Sequence, residues 1–204
     1  MYLTGSVGAA SRPYLDAHLI GFITTPNIGN VIEDGWVWAA DNGCFSSAWD
    51  EGKWLRWLDS GLPLETCLFA TVPDVVGDHK ATLERWARYA PEVERRGFPL
   101  AFVAQDGATV STVPWGQLHV LFIGGTNQFK LGREAKELIR EAKRLGKWVH
   151  VGRVNSQGRF LAFAALGADS ADGTYLAFGP DTNMPKLLAW IRHHETQPPL
   201  FKED

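Results

Sequence analysis

Two aspartates, Asp169 and Asp172, stand three residues apart in the stretch Gly167-Ala168-Asp169-Ser170-Ala171-Asp172-Gly173-Thr174. The small apolar run before them, Phe160 to Leu166, reads as a short helix packed on a sheet, with Gly167 as its stop. A buried strand is due next, and an unpaired charge inside one is costly, so each carboxylate must meet water, a partner or a substrate. Alternation along a strand sends the two to opposite faces. On this reading Asp172 points into a cavity while Asp169 is tied to the scaffold. Taken alone, the octapeptide reads more simply as a loop with two solvated aspartates.

Other apolar runs end in the same way. Asp41-Asn42-Gly43 closes one, and Pro73-Asp74, Gln105-Asp106-Gly107, Gly124-Gly125-Thr126 and Gly152-Arg153 close others. If these ends converge, Asp41, Asp74 and Asp172 supply carboxylates and Gln105 an amide. Gly124 and Gly125 then let a ligand reach backbone groups. That set suits a neutral, hydrogen-bonding substrate such as a purine.

Positioning them requires strands that all end on one side. Eight candidates fit: Tyr2 to Thr4, Leu19 to Thr24, Trp36 to Ala40, Cys67 to Val72, Leu100 to Ala104, Val120 to Ile123, Trp148 to Val151, and the stretch ending at Asp172. Helical spacing lies between the later ones. Trp54, Trp57 and Leu58 share a face, Asp78 caps a helix carrying Leu83, Trp86, Ala87 and Ala90, and Ala135, Leu138, Ile139, Ala142 and Leu145 form another stripe. Strands alternating with helices imply a parallel sheet, and eight units imply a closed, TIM-type (β/α)8 barrel of α/β class. At 204 residues the chain is near the short end for that fold. The N-terminal helices are therefore expected to be trimmed, with 5–18 and 25–35 as loops. Residues 1–195 make one catalytic barrel domain and 196–204 a flexible C-terminal tail.

A net charge of -3 and a 45% hydrophobic fraction describe a globular chain that does not coat nucleic acid by bulk charge. Cys44 and Cys67 cannot form a disulfide framework or a metal-spaced set, which points to a reduced cytoplasmic setting with no metal and no cofactor. No apolar run reaches membrane-spanning length.

Asp41-Asn42-Gly43-Cys44-Phe45 resembles the Asp-Ser-Gly-Gly-Phe signature of the tRNA-guanine transglycosylase superfamily, and Gly167-x-Asp169-x-x-Asp172 resembles the segment holding that family's nucleophile. Asp74, Gln105 and Gly124-Gly125 fall between them in the family's order. With Gly52-x-Trp54 and no zinc subdomain, the chain looks most like the phage and bacterial branch that modifies DNA with 7-deazaguanines. The resemblance implies a pentosyltransferase that exchanges guanine in DNA for a preQ0- or preQ1-like base by double displacement. Asp172 would be the nucleophile and Asp41 the second carboxyl group; Asp74, Gln105, Gly124 and Gly125 would hold the base.

Arg153, Asn155, Ser156 and Arg159 follow strand seven, where barrels often bind phosphate, and Lys53 and Arg56 lie beyond the Asp41 turn. These six are the expected nucleic-acid contacts, with DNA ahead of tRNA as partner and a homodimer or partner subunit left open. The basic run from Lys130 to Lys147 reads instead as the solvated face of an outer helix. Trp49 is a candidate for stacking on a base, and His150 reads as a core histidine. The implied place is the cytoplasm, the host's for a phage protein. A non-catalytic nucleic-acid-binding subunit and a small-molecule N-glycosidase on the same fold are the alternatives.

Overall fold

A computed structural model describes residues 1–28, 31–45 and 49–196. Its strands are β1 (Tyr2–Thr4), β2 (Gly21–Thr24), β3 (Trp38–Ala40), β4 (Cys67–Thr71), β5 (Leu100–Ala104), β6 (Val120–Ile123), β7 (Trp148–Val151) and β8 (Ser170–Gly173). All eight are parallel and neighbour one another in chain order, and β1 pairs with β8 to close the barrel. The expected TIM-type barrel is the observed fold.

Strand period explains which residues face the axis. Leu3, Ile23, Ala39, Phe69, Ala101 and Val120 pack together as the inner core. Two residues beyond an inward position is inward again, so Asp41 follows Ala39, while Gln105 follows Ala101 at twice that interval. Asp172 is in register with Leu3 across the closing pair and shares its face. The outward set, including Phe22, Trp38, Phe102, Leu121 and Val149, packs against the helices.

Those helices are α1 (Arg12–Asp16), α2 (Glu51–Leu58), α3 (His79–Glu94), α4 (Asn127–Leu131), α5 (Arg133–Arg144), α6 (Gln157–Ala165) and α7 (Pro180–Thr196). Asp50, Asp78, Thr126 and Ser156 cap four of them, each side-chain oxygen accepting from the backbone N–H three residues on. The expected stripe of α5 is buried through Ala135, Leu138, Ile139 and Ala142.

Several boundaries differ from expectation. β2 begins at Gly21 because Leu19 sits outside the sheet, half exposed. The stretch 5–18 contains α1, a little over one turn started by Pro13, where only loop was expected. Trimming also reaches the middle of the chain, since 105–119 joins β5 to β6 through turns without a helix. α7, absent from the sequence reading, buries Met184, Leu187 and Trp190 despite Pro185 in its first turns. The expected tail at 196–204 lies, beyond Thr196, outside the described residues. Among the described residues no helix is long and apolar enough to cross a membrane.

Candidate active site

The strand ends converge on a cavity of about 110 Å³ at the C-terminal mouth. Asp41, Asn42, Asp74, Gln105, Gly124, Gly125, Gly152, Arg153 and Asp172 all line it, with Phe45, Val76, Val103 and Phe122 as apolar wall. An apolar cavity of about 150 Å³ takes a benzene ring, so this one admits a comparably small, flat group.

Glycine makes the room at two points. A Cβ on Gly124 would lie 2.8 Å from Val103 Cγ1 and 2.9 Å from Gln105 Nε2, and one on Gly152 would lie 2.7 Å from the Phe122 ring.

Asp74 is buried and held by two amides: Asn42 Nδ2 donates to Oδ1 at 2.9 Å and Gln105 Nε2 to Oδ2 at 2.6 Å. Gln105 Oε1 accepts from Gly77 N at 2.9 Å, which fixes the amide's orientation. Burial raises the Asp74 pKa against the lowering effect of both amides. Asn42, which stands where the resembled signature has Ser, is a structural member of the site. Its backbone N–H donates to Thr71 Oγ1 at 2.7 Å, and its side-chain oxygen accepts from Cys44 N at 2.8 Å.

Asp41 is supported weakly by comparison. Thr71 Oγ1 at 3.3 Å and Gly43 N at 3.5 Å both reach its Oδ1. Burial, then the negative charges of Asp172 and Asp74, push its pKa up to about 7. Asp172 is supported on a single oxygen, since His150 Nε2 at 3.2 Å and Arg153 N at 3.1 Å both meet Oδ1.

Arg153 has φ of 60°, a left-handed conformation uncommon for a residue with a side chain and costing about 1 kcal/mol or more. That turn aims its N–H at Asp172. Its guanidinium donates to the Gly125 carbonyl and lies 4.3 Å from the Phe45 ring centroid, so it spans the cavity mouth.

Lys130 was missed. Grouped by sequence with the outer face of the basic helix, it belongs to α4 and is 3% exposed, its Nζ donating to Gly152 O at 2.8 Å. Burial, then the charge of Arg153, lowers its pKa to about 8. A long apolar stem with one polar end can bury in either direction, and the sequence holds no sign of which.

The remaining candidates spread out. Asn155 and Ser156 are exposed beside the start of α6, where Arg159 donates to Asn127 Oδ1 at 3.3 Å. Lys53 lies in the first turn of α2 and bonds Asn27 Oδ1 at 2.5 Å; Arg56 lies in the last turn. Neither of these two lines the cavity. Asp169 faces away from the mouth and pairs with Lys143 Nζ at 2.7 Å, also accepting from Val149 N at 2.7 Å. Trp49 is not open for stacking: its ring packs against Tyr89 at 4.9 Å and Trp54 at 6.0 Å. Among the described residues no three His, Cys, Asp or Glu side chains are grouped to hold a metal ion.

No family model and no curated protein matches the chain. Solved structures do. The Amycolatopsis orientalis BexX/CysO complex is similar over 100% of this chain and 93% of that one, at 20% identity and TM-score 0.59. A 4-hydroxy-2-oxoglutarate aldolase/2-deydro-3-deoxyphosphogluconate aldolase from TTHB1 is similar over 95% and 92%, at 14% and 0.57. The 3-hexulose-6-phosphate synthase of Salmonella typhimurium is similar over 95% and 98%, at 15% and 0.50. Identities this low carry the barrel and no activity.

These neighbours overturn the resemblance to the tRNA-guanine transglycosylases. Two of these neighbours are named as an aldolase and a synthase and none as a transglycosylase, and guanine exchange, pentosyl transfer and phage DNA modification go with the resemblance that implied them. The N-glycosidase and inactive-subunit alternatives rested on the same footing and fall with it. The physical reason lies in the motifs. Asp, Asn, Gln and Gly are what any barrel of this kind places at its strand ends, where backbone must turn sharply and polar groups face a ligand. Five short polar turns in order therefore report the architecture before they report a family.

Proposed function

We propose that this chain is an enzyme that moves protons on a small, flat, N–H-bearing molecule with an anionic substituent, using Asp41 and Asp172 as an acid–base pair. One observation carries the reading: the two carboxyl groups line a single cavity, and Asp41 is held up to about 7 by burial and by Asp172's charge. Near neutral pH Asp41 can thus give a proton, whereas Asp172, met by two donors on one oxygen, is built to accept one. Asp172 takes a proton from the substrate, the released electron pair shifts within it, and Asp41 protonates the atom that receives the pair. The outcome is an isomerisation or an elimination.

Substrate class follows from what the cavity presents. Three carboxyl groups and few donors favour a ligand rich in N–H groups, such as an amine, amidine or cyclic amide. Lys130, Arg153 and Arg159 gather at the β7–α6 turn, and among the described residues none of the three lies within ion-pair distance of an acidic side chain. That unbalanced charge, beside the exposed Asn155 and Ser156, favours a phosphate or carboxylate on the substrate. The free thiols Cys44 and Cys67 support a reducing cytoplasmic setting.

The test is incubation in D2O with small amines, amidines and cyclic amides, each with and without a phosphate, followed by mass spectrometry. Deuterium uptake or conversion by the wild type, lost in both Asp41→Asn and Asp172→Asn, supports the pair; turnover that survives both sinks it. Titration with inorganic phosphate and with duplex DNA tells a free anion from a polymer at the same cations.

A further inference from the structure

His150 lies at the centre of the barrel, fully buried, two residues before the cavity floor at Gly152. Phe122 and Phe69 close on its ring from β6 and β4, with centroids 4.5 and 5.0 Å away. Its two nitrogens are both engaged with β8: Nδ1 lies 2.8 Å from Ser170 Oγ and Nε2 lies 3.2 Å from Asp172 Oδ1. Trp148 Nε1 also reaches Ser170 Oγ, at 2.9 Å.

The donor inventory orients this chain. An indole N–H can only donate, so it takes one lone pair of Ser170 Oγ. The serine proton then turns to the acceptor beside it, His150 Nδ1, and the imidazole hydrogen stands on Nε2 facing Asp172. The reverse tautomer would set a bare nitrogen against a carboxylate oxygen, two acceptors in contact.

We propose that His150 is a positioning residue: Trp148, Ser170 and His150 form a one-way chain of donors that ends on Asp172 Oδ1 and leaves Oδ2 as the oxygen that reacts. This deepens, and rests on, the reading that Asp172 is the base. Arg153 N donates to the same Oδ1, so both known supports fall on one atom. A carboxylate clamped this way cannot rotate without losing two hydrogen bonds at once. The free oxygen is held toward the cavity that Asp172 lines. Phe69 and Phe122 give the ring no competing partner.

Other titratable groups surround Asp172 from the neighbouring elements. Asp41 lies across the cavity on the β3 end, Tyr2 on β1, and Lys130 on α4. None of them substitutes for a donor on Oδ1.

The experiment reads Asp172 itself by its 13C-carboxyl resonance at one fixed pH, in wild type, His150→Leu and His150→Gln, with 15N NMR of the imidazole in wild type. Leucine fills much of the volume but donates nothing, and glutamine can place an N–H near the position of Nε2. Loss of the donor should move the Asp172 carboxyl resonance away from its wild-type position, with glutamine recovering most of it. The wild-type ring should show Nε2 protonated and Nδ1 bare. Equal Asp172 carboxyl resonances in wild type and a folded leucine variant, or a proton on Nδ1 alone, overturn the proposal. Should His150→Leu fail to fold, Ser170→Ala carries the test, because removing the hydroxyl should turn a single tautomer into a mixture; an unchanged 15N pattern refutes the chain. If the resonances behave as expected while no proton exchange is found in any substrate set, the functional reading fails and the positioning stands.

Discussion

Asp41→Asn tests the electrostatic reading without any substrate. Asp41 is half-buried, and its pKa moves from 3.8 in the open chain to about 7 in the fold, raised first by burial and then by Asp172. A carboxyl whose folded pKa exceeds its unfolded value holds its proton longer in the folded state. Its contribution is most favourable below the unfolded value and is lost as pH rises through the folded one. Linkage then makes the Asp41 carboxyl cost about 4 kcal/mol at pH 8, where both states ionise, and about 1 kcal/mol at pH 4.5, where only the unfolded chain does. Asparagine has nearly the same shape and an Oδ1 that can keep the long contacts from Thr71 and Gly43, yet it never ionises. The variant should therefore gain about 3 kcal/mol more at pH 8 than at pH 4.5. For a chain of this size that is a Tm difference of roughly 6–12 °C. Thermal unfolding of both proteins across pH 4.5 to 8 measures it. A gain that is the same at both ends, or a loss at pH 8, would refute the buried-carboxyl account.

Three further expectations concern the same cavity and the strand that lines it. Asp172→Asn removes the second-largest cause of the Asp41 shift, so the Asp41 midpoint should fall below about 7 and stay above 3.8, as read by carboxyl NMR; no movement would place the two groups too far apart to act as a pair. Gly152→Ala puts a Cβ 2.7 Å from Phe122 Cε1 and 3.4 Å from Asp172 Oδ1, and should cost about 1–3 kcal/mol in denaturant unfolding. Stability equal to wild type there would show that the cavity wall yields freely. Asp169→Asn loses the Lys143 pair and weakens the bond from Val149 N, and should cost about 1 kcal/mol while leaving the Asp41 titration in place. A moved Asp41 midpoint would show that the outer aspartate reaches the cavity.

The alternation of short apolar runs with amphipathic stripes, and the polar turn ending each run, belong to the sequence alone. Strand period and helix period are local, and hydrophobic burial admits few ways to combine eight such units. The same logic separates Asp169 from Asp172, since their odd spacing on one strand sends them to opposite faces. Which polar groups cooperate was decided only by closure of the barrel. Asp41 and Asp172 lie 131 residues apart in the chain and act on one cavity because strand order brings β3 and β8 to the same mouth. Asn42 reads in sequence as a turn residue and becomes a clamp on Asp74 across to the next strand. His150 and Lys130 were hidden for a related reason: a histidine amid apolar residues and a lysine in a basic run carry no local mark of their long-range partners. The shift on Asp41 is of the same kind. It arises from solvent excluded by the whole mouth and from charges on the adjacent strand and three strands round the closed barrel, which no window of sequence contains.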